Sequence, residues 1–489
     1  MTTTARTTTS GSRASHWLRT SRSLLLVGLI PAAMVLSACG GDDDDTSSSS
    51  PTMGAASQTT ATSGMAMGTA TTGMDMGTAT MGMDMGTPTM GSEASPTMPM
   101  PMATATTGMD TASPTADASP VAEMVTSDTG AAALRTVLTV LLQEHVYLAG
   151  AATGAAIGGR ADEFDAAAAT LDMNSVQLSE AIGSIYGDDA GDAFLDLWRN
   201  HITMFVTYTQ AAATGDEAGK ADAQADLEAY GLTFGEFMES ANPNLPAEAV
   251  AAELAPHVAT LLAAIDAQVA VDPMAFELLR EAAMHMPMTA AVLANGIATQ
   301  MPEMFDGSSE APASSLRAYL NTMFSEHVYL AGAASGAALD GRSDDFEAAA
   351  AQLDANSVEL SASFGEVYGA EAGEAFLEQW RAHIVLLVDY VTATAGADTA
   401  GQEAAVNGLV AYVGTFATFM SDATGIPQEA LASLLEDHVL GLKDMVDLQA
   451  AGDLTGAYAA MQLAAMHMQM IADPFAEATV QMFPDLFTE

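Results

Sequence analysis

EHVYLAGAATGAA, Glu144–Ala156, returns as EHVYLAGAASGAA, Glu326–Ala338, 182 residues further along the chain. LDMNSVQLS at Leu171 returns in the same way as LDANSVELS at Leu353, and FLDLWRNHI at Phe194 as FLEQWRAHI at Phe376. The chain is therefore duplicated, with copies over 129–306 and 313–489 and a Gly/Ser/Pro joint at 307–312. Both copies consist of long Ala/Leu-rich segments with apolar residues at 3.6-type spacing, broken by Gly, Asp, Asn and Pro, and nearly without strand signals. The expected fold class is all-α: two tandem homologous helical bundles.

A shorter period lies inside each copy. Histidines fall at His145, His201 and His257, each 56 residues apart, and again at His327, His383 and His438, spaced 56 and 55. About fourteen residues after each comes a Gly- or Asp-containing turn, and then another helical segment. Three helical hairpins per copy, or about six helices, follow from this spacing, with histidine midway along the first helix of each hairpin.

In an antiparallel hairpin, residues equally far from the turn sit at one height, because each residue rises about 1.5 Å. His257 and His285 lie fourteen residues either side of Val271 and should be level. If the hairpins are equivalent, His145 and His201 join them, and His327, His383, His438 and His467 form the same layer in the second copy. Imidazoles on facing helices are how bundles build metal sites, and neutral imidazole suits copper, zinc and iron. Met288 and its twin Met470 stand at i+3 from His285 and His467, on the same face, and are candidate thioether ligands. Asn174, Ser175, Asn356 and Ser357 fall near this height and are candidates to hydrogen-bond the second ring nitrogens. Glu144 and Glu326 adjoin their histidines but point away from them, which suggests a supporting or surface role. The competing reading is that the histidines hydrogen-bond within the core, as buried polar groups must. Pro256 and Pro287 flank His257 and His285 in the first copy only, so the two layers are expected to differ in geometry.

The net charge is −49, from 62 acidic and 13 basic residues. A nucleic-acid partner is excluded, since phosphate contacts need clustered Arg or Lys. Arg6, Arg13, Arg19 and Arg22 precede an apolar run, Leu24–Ala38, that ends at the only cysteine, Cys39. That pattern reads as a signal over 1–38, and the run is too short for a membrane span of about 20 residues. LSACG, Leu36–Gly40, resembles the lipobox of bacterial lipoproteins, which implies lipidation of Cys39 and an extracytoplasmic protein anchored to the membrane. Residues 39–128 are rich in Thr, Ser, Gly, Ala, Pro and Met, with too little apolar bulk to offset ordering entropy, and read as a disordered tether. Its GMDMG and PTMPMPM clusters offer soft thioether sulfur suited to Cu(I); the bland alternative is a low-complexity spacer.

No GxSxG, P-loop or GxGxxG constellation opens a strand–turn–helix unit, and no carboxylate pair stands out for acid–base work, so nothing marks an enzyme. Trp198 and Arg199, with twins Trp380 and Arg381, read as packing and a local ion pair. The EHVYLAGAA, LDxNSVxLS and WRxHI segments resemble secreted bacterial all-helical domains, some of which carry a copper amine oxidase label. The resemblance implies a secreted, all-helical protein. It carries over no catalytic residue, because the Asn-Tyr-Asp/Glu motif from which such oxidases build their quinone is absent here. Two functions lead, ahead of an enzyme: extracytoplasmic metal binding through the histidine layers, copper first with zinc or iron open, or a lipoprotein whose helices form a protein-interaction surface and whose histidines serve only the core. The sequence names no protein partner.

Overall fold

The structure is a computed structural model that describes residues 125–488. Over that range the chain forms twelve α-helices and no strand. The first copy holds α1 (Gly130–Ile157), α2 (Ala161–Tyr186), α3 (Asp188–Thr214), α4 (Glu217–Ala241), α5 (Ala247–Ala270) and α6 (Met274–Gln300). The second holds α7 (Pro312–Leu339), α8 (Ser343–Tyr368), α9 (Ala370–Ala395), α10 (Thr399–Thr424), α11 (Gln428–Ala451) and α12 (Leu454–Met482), followed by a 3-10 turn at Pro484–Leu486. Cys39, the signal and nearly all of the tether lie outside the described residues.

The helix limits follow local chemistry. Thr129, Asp216 and Asp453 cap α1, α4 and α12 by accepting from the backbone N–H groups of Ala132, Gly219 and Gly456. Gly215, Gly425 and Gly452 close α3, α10 and α11 in the left-handed conformation that a Cβ disfavours. Val271 takes that conformation at the end of α5, with φ 54°, where its twin Gly452 has φ 73°.

Within each copy every helix packs against the next, and the sixth returns to the first. The hairpins thus close into a ring of six antiparallel neighbours around one core. Helices α1, α3 and α5 alternate around the first ring, run in the same direction and carry their histidines at mid-length. The core between them is aromatic and aliphatic, with Phe194, Trp198, Phe234 and Met286 buried in the first ring and Phe376, Trp380, Phe416 and Met468 in the second. Met284 and Met466, the flanking methionines, are less buried, and Met466 is 37% exposed.

The rings join along α1 and α7. There Tyr147 and Tyr329 stack with centroids 5.3 Å apart. Residues 126–128, compositionally part of the tether, are held by the second ring: Thr126 Oγ1 and the Ser127 N–H and hydroxyl donate to Glu477 at 2.8–3.0 Å. Arg317 binds Asp473 and the Ser127 carbonyl oxygen.

Candidate metal centre

The ring architecture aims one histidine from each alternate helix at the core. In the second ring His327, His383 and His438 are all buried, and each offers a ring nitrogen within 4.8 Å of the others. His383 Nε2 and His327 Nε2 are 3.2 Å apart. The first ring repeats that pair, with His201 Nε2 and His145 Nε2 also 3.2 Å apart. At such a distance the two rings share one proton, so one of them must present a lone pair.

Two imidazoles on one metal, each about 2.0–2.1 Å from it, have nitrogens roughly 3.3–3.6 Å apart. The observed pairs are near that separation. In the second ring the third nitrogen completes a set close enough to hold an ion. Among the described residues, neither ring nitrogen of His438 has a hydrogen-bond partner, nor do Nδ1 of His145 and His327. Buried polar atoms are rarely left in that state.

An aromatic sheath surrounds the nitrogens. Trp380 packs against His327 and His383 at centroid distances of 4.9 and 4.8 Å, and Tyr412 lies 5.2 Å from His383. Trp198 and Tyr230 occupy the equivalent places in the first ring. Burial in this apolar shell penalises the charged imidazolium, and proximity to other histidines penalises it further. His201 and His383 are pushed down to about 3 and His257 to about 4, while His145, His327 and His438 are held well below the ordinary histidine range. The rings are therefore neutral at pH 7, the form that binds metals. A small cavity of about 20 Å³ opens beside His383 and His438, and one of about 30 Å³ beside His201 and His257.

The fourth histidine of each expected layer is less buried than these. His285 and His467 are only partly buried, and His467 Nε2 lies 2.8 Å from the Leu434 carbonyl oxygen between α11 and α12. Met288 and Met470 are 38% and 41% exposed, on the outer side of their helices. The His467 ring on α12 thus meets the backbone of the neighbouring α11. The two rings also differ, as the prolines foreshadow. His257 Nδ1 lies 3.5 Å from the Ala282 carbonyl oxygen, whereas His438 is unbonded. Pro287, on the facing helix, lacks the N–H for its i−4 carbonyl and disturbs α6 at this level.

Asn174, Ser175, Asn356 and Ser357 are fully buried but do not support the histidines. The serine hydroxyls donate to the carbonyl oxygens of Leu171 and Leu353 on their own helices. The asparagine amides donate to the carbonyl oxygens of Leu141 and Met323, and Asn356 donates also to Glu326. Arg199 and Arg381 form bidentate pairs with Asp172 and Asp354 at 2.6–2.8 Å, and the adjoining tryptophans pack in the core.

Glu144 and Glu326 are not at the surface: both are fully buried in the seam. Tyr147 donates to Glu326 at 2.8 Å, and Arg280 bridges Glu326 and Glu359. The equivalent positions of the other half hold neutral groups, Gln462 for Arg280 and Gln177 for Glu359, and Gln462 donates to Glu144. With no cation beside it among the described residues, burial pushes the Glu144 carboxyl up to about 7. Sequence reasoning missed this network. The signal was the Glu-His-Val-Tyr spacing, which puts glutamate and tyrosine one turn apart on a face that histidine does not share.

No family model, curated protein or solved structure matches this chain.

Proposed function

We propose that the protein is an extracytoplasmic, lipid-anchored metal-binding protein that sequesters, buffers or senses copper through its buried histidines. The observation that carries this reading is the convergence of His327, His383 and His438, three neutral imidazoles with nitrogens within 4.8 Å. Cu(I) is the favoured ion. Three nitrogen donors in a dry, aromatic setting without a neighbouring carboxylate satisfy a low-coordinate soft ion, whereas zinc and iron ordinarily take four or more ligands. The His145, His201 and His257 trio is a second, weaker centre, because His257 is drawn toward the Ala282 carbonyl. The anchor rests on the lipobox-like LSACG at Cys39, and the Met-rich tether would offer soft sulfur for passing Cu(I) to the rings. α5 and α10 are long and apolar enough to cross a membrane, but both are members of the rings, and that is weak support for any membrane span.

The second reading, a structural lipoprotein with core histidines, draws on the backbone contacts of His467 and His257. Loading the full chain separately with Cu(I), Zn(II) and Fe(II), followed by desalting and metal analysis, separates the two. Copper retained by the chain and reduced by one ion in His383→Ala supports the metal centre. Equal retention by wild type and variant would assign the copper to the tether and leave the histidines to the core.

A further inference from the structure

A cleft of about 700 Å³ lies between the two rings, on the seam itself. Its walls are the same positions of both copies. Tyr147 and Tyr329, Ala151 and Ala333, Arg160 and Arg342, and Phe276 and Tyr458 are matched pairs, one member from each ring. The most closely repeated segment of the sequence, the YLAGAA run after each Glu-His-Val, thus lines a cavity that neither ring could form alone. Its volume falls within the ordinary range for small-molecule sites, about 300–1,000 Å³.

The lining selects a chemistry. Phe276 and Tyr458 are partly exposed aromatic rings contributed by opposite rings of helices, and Ala151 and Ala333 leave open space along the floor. Two guanidiniums reach the rim, but each is already paired, Arg160 with Glu163 at 2.5 Å and Arg342 with Asp345 at 2.6 Å. An anion would have to break one of those pairs. Asp340 shares Arg342 with Asp345, and Asp272, Asp344 and Glu347 bring further carboxylates that no guanidinium matches among the described residues. Aromatic faces under an excess of carboxylates are what a desolvated organic cation requires.

We infer that the inter-ring cleft binds one hydrophobic organic cation per chain, with its apolar body between Phe276 and Tyr458 and its charge toward the acidic rim. This inference is independent of the metal centre.

Tetraphenylphosphonium and tetraphenylborate share a shape and differ in the sign of charge, so the pair isolates the electrostatic claim. Calorimetric titration of the full chain should show tetraphenylphosphonium binding at one per chain, with a Kd on the order of micromolar, and no comparable binding of tetraphenylborate. Ala333→Phe, which fills the floor, should weaken the cation at least tenfold. Asp344→Asn with Glu347→Gln, both on the exposed rim, should weaken it several-fold and flatten its dependence on ionic strength while leaving the helical circular dichroism unchanged. That double variant decides the matter should Ala333→Phe fail to fold. Tetraphenylborate binding as tightly as the cation would overturn the inference. So would the absence of binding, or many weak sites insensitive to the variants, which would be adsorption to the acidic surface.

Discussion

Six neutral histidines sealed in the two rings should make the protein acid-labile in a window where its carboxylates are still ionised. All six are buried and have depressed folded-state pKa values, while in the unfolded chain they return to about 6.5. Below that value the unfolded state binds more protons, so this contribution is intact above pH 6.5 and is lost as pH falls toward the folded-state values. At pH 5.5, one unit below, each site costs about 1.4 kcal/mol, and six cost about 8 kcal/mol. Glu144 acts in the opposite sense. Its folded-state pKa of about 7 is above the ordinary carboxylate value, so its proton uptake returns about 2 kcal/mol between pH 7.5 and 5.5. The net loss of about 6 kcal/mol is comparable with the whole stability of an ordinary domain, about 5–15 kcal/mol. Urea unfolding followed by far-ultraviolet circular dichroism at pH 7.5, 6.5 and 5.5 measures it. The midpoint should drop steeply over the last unit, with unfolding at pH 5.5 taking up about five protons. A midpoint that stays flat from pH 7.5 to 5.5 would show that these rings titrate normally and are not sealed from water.

Bound copper should suppress that lability, since a metal that binds only the folded state stabilises by mass action, about 2.7 kcal/mol at a hundredfold excess over Kd; thermal unfolding at pH 6 with and without Cu(I) tests it. Glu144→Gln should stabilise the protein by up to about 3 kcal/mol at pH 8, where the wild-type carboxyl is forced to ionise, and change little at pH 5; paired urea titrations show whether the effect has that pH dependence. Arg280→Gln, which imitates Gln462 but leaves Glu326 buried without its cation, should cost about 3–5 kcal/mol near neutral pH, less on acidification. Val271→Gly should raise stability by roughly 0.5–1 kcal/mol, because a β-branched residue in the left-handed region is strained and Gly452 does the same work in the second ring; a lower urea midpoint would contradict this.

Much of the fold was legible because it is periodic. The 56-residue spacing of His145, His201 and His257 placed three hairpins and their turns, and closure of the ring puts those histidines on alternate, parallel helices. Height could be read from residue counts, but rotation about the helix axis could not. That is why His285 and His467 are only partly buried, His467 meeting a backbone carbonyl of α11, and why Met288 and Met470 are on the outside. Asn174 and Ser175 spend their donors on the backbone carbonyls of Leu141 and Leu171, a pairing that residue spacing does not announce. The seam was invisible for a different reason. Nothing in one copy's periodicity states which face meets the other copy, and Glu144 and Glu326 looked like two more members of a very acidic surface. Only their twinned environments, Arg280 with Glu359 against Gln462 with Gln177, reveal a charged and a neutral version of one buried contact.

The metal centre is the central claim, and X-ray absorption at the copper edge tests it most directly. The full chain would be loaded with one equivalent of Cu(I) and compared with the His438→Ala variant. Three nitrogen scatterers at about 2.0 Å with the outer-sphere pattern of imidazole, replaced by sulfur or lower coordination in the variant, is the predicted result. A wild-type spectrum dominated by sulfur would place the copper on the tether methionines and contradict the claim that the histidine trio is the site.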